Sequence, residues 1–206
     1  MEFASGFNVV LADRTQESTR GDSRNGLGKS TLLEIIHFCL GSSSRGASTP
    51  FHDTLHDWIF TLDLTIGGQR YKASRSTGDP RRVNIEGNTE QWSIQPERTN
   101  GQYWLKVGDW NLLLGSLMFG LPVIQEQKLY RPTFRSLISY FIRRGHDAFS
   151  SPFSHFRRQK QWDIQVQNAF LLGLGWESAS EWQSIKDKEK VLTALREGAS
   201  VGAVQG

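Results

Sequence analysis

Eight residues near the start of the chain have the types and spacing of a phosphate-binding loop. The common form of this loop is a glycine, four variable residues and then Gly-Lys-Ser or Gly-Lys-Thr. Here Ser23 replaces the first glycine, and Gly26 adds a glycine inside the loop. The motif and the residue after it read Ser23, Arg24, Asn25, Gly26, Leu27, Gly28, Lys29, Ser30 and Thr31. This pattern predicts binding of a nucleoside triphosphate together with Mg²⁺.

Each position has a physical role. Glycines let the backbone fold around phosphates and point its N–H groups inward. A helix beginning near Lys29 adds its free amides and its dipole. Lys29 is expected to reach the β- and γ-phosphates, and the Ser30 hydroxyl to coordinate Mg²⁺. The alternative is a glycine-rich loop that holds Lys-Ser by coincidence, but the apolar helix that follows favours a P-loop.

Two elements must position this loop. Residues 7–12 (FNVVLA) are apolar and β-branched, which predicts a buried strand before it. Residues 29–40 predict a largely buried helix after it, with Thr31, Glu34 and His37 as one narrow polar stripe. Cys39, the single cysteine, lies in this run and is expected to be a buried structural thiol.

The middle of the chain predicts an antiparallel meander, without βαβ units. From Trp58 to Ile66 apolar and polar residues alternate, the Gly67-Gly68 pair predicts a tight turn, and residues 69–74 return as the partner strand. Further short strands are predicted at 83–85, 92–94 and 103–107. Asp63, the one candidate for a magnesium-binding carboxylate in this region, is expected to be an exposed strand residue, and no catalytic residue is assigned.

The last part of the chain predicts helices at 109–121, 134–144 and 164–174, with a loop at 150–156. Beyond residue 178, apolar residues near heptad spacing predict the start of a coiled coil. The sequence shows neither a signal peptide nor an apolar run long enough to span a membrane, so a cytoplasmic protein with no membrane partner is expected.

The run Asn25–Gly41 (NGLGKSTLLEIIHFCLG) resembles the first lobe of SMC-like ABC ATPases of the SbcC, RecF and RecN type. The segments GFNVVLAD, FRSLISYFIRR and NAFLLGLGW resemble a branch of bacterial SMC-like proteins of defence or three-component ABC systems. The resemblance covers most of residues 6–195. It implies an α/β (α+β) fold, a P-loop NTPase half-head, that works in DNA repair, chromosome maintenance or anti-phage defence.

In this family a second lobe supplies the signature motif and the Walker B carboxylates. The resemblance therefore implies that ATP hydrolysis requires a C-terminal ATPase lobe and a homodimer partner, and that this chain is part of a truncated or split protein. It divides the chain into an ATP-binding lobe (1–176), the start of the coiled-coil helix (177–197) and a flexible tail (198–206). Gln125 and Gln127 lie near the expected Q-loop, but neither can be assigned to it.

Two other functions stay open. The chain could be a nucleotide-independent interaction module of the same fold, which the serine at position 23 makes plausible. It could also be an autonomous small P-loop kinase or GTPase, a class that needs its own Walker B residue and a parallel sheet.

Basic residues concentrate in the second half of the chain, where Asp147 alone opposes them. They are Arg131, Arg135, Arg143, Arg144, Arg157, Arg158 and Lys160. This excess could bind DNA phosphates. Equally, it could be a solvated surface, or it could contact ATP or the second lobe. The aromatic residues nearby (Tyr140, Phe141, Phe149, Phe153 and Phe156) are expected to pack in the core and not to stack on bases.

Overall fold

The computed structural model describes residues 1–11, 29–43, 55–123 and 129–203. In these ranges the fold is mixed α/β, with one antiparallel sheet and five α-helices. The strands are β1 (Ile59–Ile66), β2 (Gln69–Ser76), β3 (Arg82–Glu86), β4 (Glu97–Thr99) and β5 (Gln102–Lys106). The helices are α1 (Lys29–Cys39), α2 (Val107–Phe119), α3 (Phe134–Phe141), α4 (Gln161–Leu171) and α5 (Trp176–Ala203).

The sheet has the strand order β1-β2-β3-β5-β4, and each neighbouring pair is antiparallel. Its longest pairing is the β1–β2 hairpin, in which Ile59 lies opposite Ser76 and Ile66 opposite Gln69. Gly67 and Gly68 both have positive φ, as a two-residue hairpin turn requires. The predicted antiparallel sheet is therefore confirmed, but its strand order is not that of a simple meander, because β5 lies between β3 and β4.

One face of the sheet carries the core. Tyr71, Ala73, Val83, Ile85 and Leu105 are buried on this face and pack against α2, chiefly against Trp110, Leu113 and Leu114. Helix α1 packs against β1 and β2. Its residue Cys39 is fully buried, and burial raises the pKa of the thiol to about 12. The expected buried structural thiol is confirmed.

Helix α3 packs against α2, α4 against α3, and α5 against α4. Helix α3 begins with a capping box. The Thr133 hydroxyl accepts a hydrogen bond from the Ser136 N–H, and the Ser136 hydroxyl accepts one from the Thr133 N–H. Among the described residues, no helix is long and apolar enough to cross a membrane.

Replacing Thr133 with alanine is expected to lower the free energy of unfolding by about 1 kcal/mol, because it leaves an N-terminal amide of α3 without its side-chain acceptor. Urea denaturation measures this change. Ser139→Ala in the same helix is the matched control, since its hydroxyl donates to the Arg135 carbonyl of the preceding turn and caps nothing. A loss from Thr133→Ala no larger than the change in this control would contradict the capping role.

Several predicted elements differ from those observed. The predicted strand at residues 7–12 is wrong over its described part: residues 7–11 are not in a strand, and Phe7 is 94% and Leu11 82% exposed. A strand requires a neighbour for its N–H and C=O groups, and no strand is paired with these residues in the described chain. Residues 92–94 are irregular, and the short edge strand β4 lies at 97–99 instead. Helix α5 continues to Ala203, into the predicted tail.

Candidate nucleotide-binding site

The predicted phosphate loop comes directly before α1 in the sequence and includes its first residues, Lys29 and Ser30. Residues 23–28 lie outside the described residues, as do Gln125 and Gln127. The backbone of Lys29 is the first residue of α1, but its side chain is not among those described. Ser30 is exposed and Thr31 is half-buried, both in the first turn. The described part of the site is therefore the helix that would carry the loop.

Burial along α1 rises from its first turn to its last. The residues His37, Phe38, Cys39 and Leu40 are buried, whereas Ser30 is exposed. The Phe38 ring packs edge-on against Phe60 of β1, with the ring centroids 6.1 Å apart. The prediction of a buried helix thus holds for the C-terminal end of α1, whereas Ser30 at its N-terminal end is exposed to solvent.

Side chains from three other elements bind the carbonyl groups at the C-terminal end of α1. The Trp110 indole N–H donates to the Cys39 oxygen at 3.0 Å, and the Asn111 amide donates to the Gly41 oxygen at 3.1 Å. Arg135 donates through Nη1 to the Leu40 oxygen at 3.2 Å. The last carbonyls of a helix lack intrahelical partners and carry the negative end of its dipole, so these donors fix that end of α1.

Arg75 of β2 makes the most extensive of these contacts. Its Nη1 donates to the Phe38 oxygen at 2.6 Å and to the Ser42 oxygen at 2.7 Å, while Nε donates to the Pro80 oxygen at 2.8 Å. The guanidinium carbon lies 4.1 Å from the centre of the Phe38 ring. Arg75 is only 2% exposed, and burial lowers its pKa to about 10, so it stays charged at neutral pH.

Sequence reasoning missed Arg75, although β2 contains a signal for it. Tyr71, Ala73 and Arg75 alternate on the core face of the strand. An arginine in phase with core residues predicts a buried cation with dedicated acceptors, because a buried charge is costly without them.

The polar stripe predicted on α1 is a contact surface for α3 and the residues that follow it. His37 is fully buried: its Nε2 lies 2.8 Å from the Ile142 carbonyl oxygen, and its Nδ1 lies 2.8 Å from Nη2 of Arg135. A carbonyl can only accept and a guanidinium can only donate, so Nε2 carries the proton and Nδ1 is a lone-pair acceptor. Arg144 forms a hydrogen-bonded ion pair with Glu34, one turn earlier on α1.

These contacts select the neutral imidazole. Burial, followed by the charges of Arg135 and Arg144, lowers the pKa of His37 from 6.5 to about 4. Burial also lowers the pKa of Arg135 to about 10. The His37–Arg135 contact is therefore a hydrogen bond from a cation to a neutral ring at physiological pH.

The predicted basic residues fall into two groups. Arg135 and Arg143 are half-buried and Arg144 is exposed, and these three bind groups of the protein itself: His37 and Leu40, loop carbonyls, and Glu34. Arg157, Arg158 and Lys160 are exposed, and Arg131 is half-buried. Binding of DNA by these residues stays a prediction.

The expectation that the nearby aromatic residues pack in the core is wrong for four of the five. Phe141, Phe149, Phe153 and Phe156 are exposed, whereas Tyr140 is half-buried. Around Phe149, the guanidinium of Arg143 binds the carbonyl groups of Ala148, Ser151 and Pro152, and the Phe149 ring lies outside this backbone segment.

Asp63 lies on the sheet face opposite α1. It is exposed on β1 and pairs in register with Lys72, while its neighbours Leu62 and Leu64 point toward the core. The predicted exposed position of Asp63 is confirmed.

Comparison with known proteins gives little further information. No protein-family model and no solved structure matches the chain. Over 96 residues it is 28% identical to a Bacillus subtilis protein described as "Uncharacterized protein YydD", an alignment that covers 43% of this chain. The aligned region spans 16% of the length of that protein.

Proposed function

We propose that the chain is the ATP-binding N-terminal lobe of an SMC/SbcC-like ATPase. The observation that carries the proposal is the position of α1, which begins at the lysine of the Gly-Lys-Ser motif: its C-terminal end is fixed by hydrogen bonds from Arg75, Trp110, Asn111 and Arg135, and Ser30 in its first turn is exposed. A helix fixed in this way holds its free N-terminal amides in place for an anion.

The residues at this end suit a triphosphate with magnesium. Lys29 is the cation that would contact the terminal phosphates, and Ser30 supplies an exposed hydroxyl, a hard oxygen ligand of the kind Mg²⁺ takes. When bound, Mg²⁺ would neutralise charge on the phosphate oxygens. Ser23 and the backbone amides of residues 24–28 would complete the loop.

Hydrolysis is assigned to a composite site. Asp63 lies on the far face of the sheet from α1, so it is not placed to hold magnesium at the loop. We therefore propose that a second lobe supplies the catalytic carboxylates and that hydrolysis also requires a homodimer partner. An autonomous P-loop kinase or GTPase is disfavoured, since such enzymes use parallel βαβ units and every described strand pair here is antiparallel.

The outer surface of α5 supports the coiled-coil part of the proposal. Ser180, Gln183, Ser184 and Asp187 face the rest of the protein, whereas Trp182, Ile185, Leu192 and Leu195 are exposed. An apolar stripe turned toward solvent at near-heptad spacing fits a second helix packed along α5.

Lys29→Ala is expected to weaken binding of ATP with Mg²⁺ by roughly thirtyfold, about 2 kcal/mol, because it removes a charge-assisted contact to the phosphates. Isothermal titration calorimetry measures the dissociation constant. Lys72→Ala, which removes an exposed lysine from the outer face of the sheet, is the matched control and should leave the affinity unchanged. Equal affinities for Lys29→Ala and wild type would refute the proposed site. The absence of any ATP binding to the wild type would favour a nucleotide-independent interaction module.

A further inference from the structure

The segment 149–160 is here named the aromatic–basic loop. Side chains of Arg143 and Asn168 hold it in place by donating hydrogen bonds to backbone carbonyl groups. Arg143 donates through Nη1 to the Ala148 and Ser151 oxygens, both at 2.8 Å, and through Nη2 to the Pro152 oxygen at 2.7 Å. Asn168 of α4 donates to the Phe153 oxygen at 2.8 Å. These contacts hold the first part of the loop in one conformation, so a ligand would not have to order it.

Three phenyl rings of the aromatic–basic loop are exposed to solvent. Phe149 is 76%, Phe153 63% and Phe156 43% exposed, and the Phe156 ring is backed by His155 at a centroid distance of 4.9 Å. Every exposed large apolar side chain between residues 141 and 160 is a phenylalanine. On α5, by contrast, the exposed apolar side chains are mostly aliphatic. The exposed large apolar side chains of the loop are therefore all aromatic.

The same loop is positively charged. Arg157, Arg158 and Lys160 are exposed, and no acidic residue occurs between positions 148 and 162. The next carboxylate, Asp163, accepts hydrogen bonds from Gln159 and Gln167. The three cations thus have no neighbouring acid in the sequence of the loop, and their charge favours a polyanion.

We propose that the aromatic–basic loop binds single-stranded nucleic acid, with unpaired bases stacked on Phe149 and Phe153 and phosphates held by Arg157, Arg158 and Lys160. Stacking platforms beside a cationic track are the arrangement by which proteins bind single strands without reading their sequence. In a duplex the faces of the bases stack on one another, so they are not available to stack on the phenyl rings. An anionic membrane would accept aliphatic side chains as readily as aromatic ones. The proposal does not depend on nucleotide binding at α1.

The first test compares two strands that carry the same phosphates. Fluorescence anisotropy measures binding of the full chain, without ATP, to an oligothymidine of about 20 nucleotides, longer than the roughly 4–16 nucleotides that a single-strand site covers. The second probe is an abasic strand of equal length. We expect the abasic strand to bind at least about fivefold more weakly, since base stacking supplies that much for each contacted base.

Variants of one exposed ring then separate stacking from simple apolarity. Phe149→Tyr is expected to keep the affinity for oligothymidine, whereas Phe149→Leu and Phe149→Ala are both expected to lose at least about fivefold. Because Phe149 is largely exposed, these changes leave the core intact. Phe7→Ala removes an exposed ring elsewhere, and Lys29→Ala removes the proposed nucleotide contact. Both should bind the oligonucleotide like wild type.

A salt titration tests the cations. Arg157→Gln with Arg158→Gln is expected to reduce the slope of log affinity against log salt by about 1.4, which is about 0.7 for each lost phosphate contact to a single strand. Equal binding of the thymidine and abasic strands, wild-type affinity in Phe149→Leu, preference for the duplex, or binding to phosphatidylserine vesicles without binding to oligothymidine would each overturn the proposal.

Discussion

Replacing Arg75 with methionine is expected to lower the free energy of unfolding by about 4 kcal/mol. Methionine keeps the unbranched stem but removes a guanidinium that donates to the oxygens of Phe38, Ser42 and Pro80. A hydrogen bond from a charged donor contributes about 1.5–3 kcal/mol, and each buried acceptor left unpaired adds a desolvation cost. The expected loss is smaller than the sum of these contributions, because the Phe38 oxygen keeps a second hydrogen bond from the Gly41 N–H.

The same strand offers a matched control. Arg70 lies on β2 with its side chain exposed on the opposite face, and Arg70→Met should change the free energy of unfolding by less than about 0.5 kcal/mol. Urea denaturation with a common slope measures both variants. Arg75→Lys should regain little of the lost free energy of unfolding, since an ammonium group cannot reproduce the planar guanidinium that donates to three separate carbonyl oxygens. A loss below about 1 kcal/mol in Arg75→Met would show that water replaces the guanidinium, and that α1 is held by its other contacts.

Local patterns were sufficient to predict the antiparallel sheet and its first hairpin. The alternation from Trp58 to Ile66 determines which side chains of β1 face the core, and the Gly67-Gly68 turn sets the register with β2. Both signals lie within 20 residues of sequence, and both depend on rules of backbone geometry that hold in any fold. The start of α1 at Lys29, within the Gly-Lys-Ser motif, is a local prediction of the same kind.

The anchoring of α1 could not be predicted in this way. Arg75 and the Phe38 oxygen are 37 residues apart, and Arg135 and His37 are 98 apart. On a helical projection, Glu34 and His37 form one polar stripe. Only the tertiary position of α3 and the residues after it brings His37 into a buried contact with Arg135, and Glu34 into an ion pair with the exposed Arg144. For the phenyl rings of the aromatic–basic loop, composition indicated a core. In the structure these rings are exposed, and Arg143 binds the backbone beside Phe149 through long-range geometry that no sequence periodicity predicts.

Lowering the pH from 6.5 to 4 is expected to remove about 3 kcal/mol of stability through His37. The folded protein holds this imidazole neutral, with its pKa lowered from 6.5 to about 4 by burial and by Arg135 and Arg144. In the unfolded chain the same group takes up a proton near pH 6.5. Between these two pH values the unfolded state binds more protons than the folded state, so stability falls as pH falls. A shift of about 2.5 units corresponds to about 3 kcal/mol.

The difference between wild type and His37→Gln isolates this effect from other titrating groups. Glutamine can still donate to the Ile142 oxygen and accept from Arg135, but it does not titrate. Groups that do not interact with His37 contribute equally in both proteins and cancel in the difference. The variant should be less stable at pH 7 because its side chain is shaped differently, and this disadvantage should shrink by about 3 kcal/mol as the pH reaches 4. Parallel stability curves over that range would mean that the ring takes up its proton without cost in the folded protein, and that the Arg135 contact breaks to allow it.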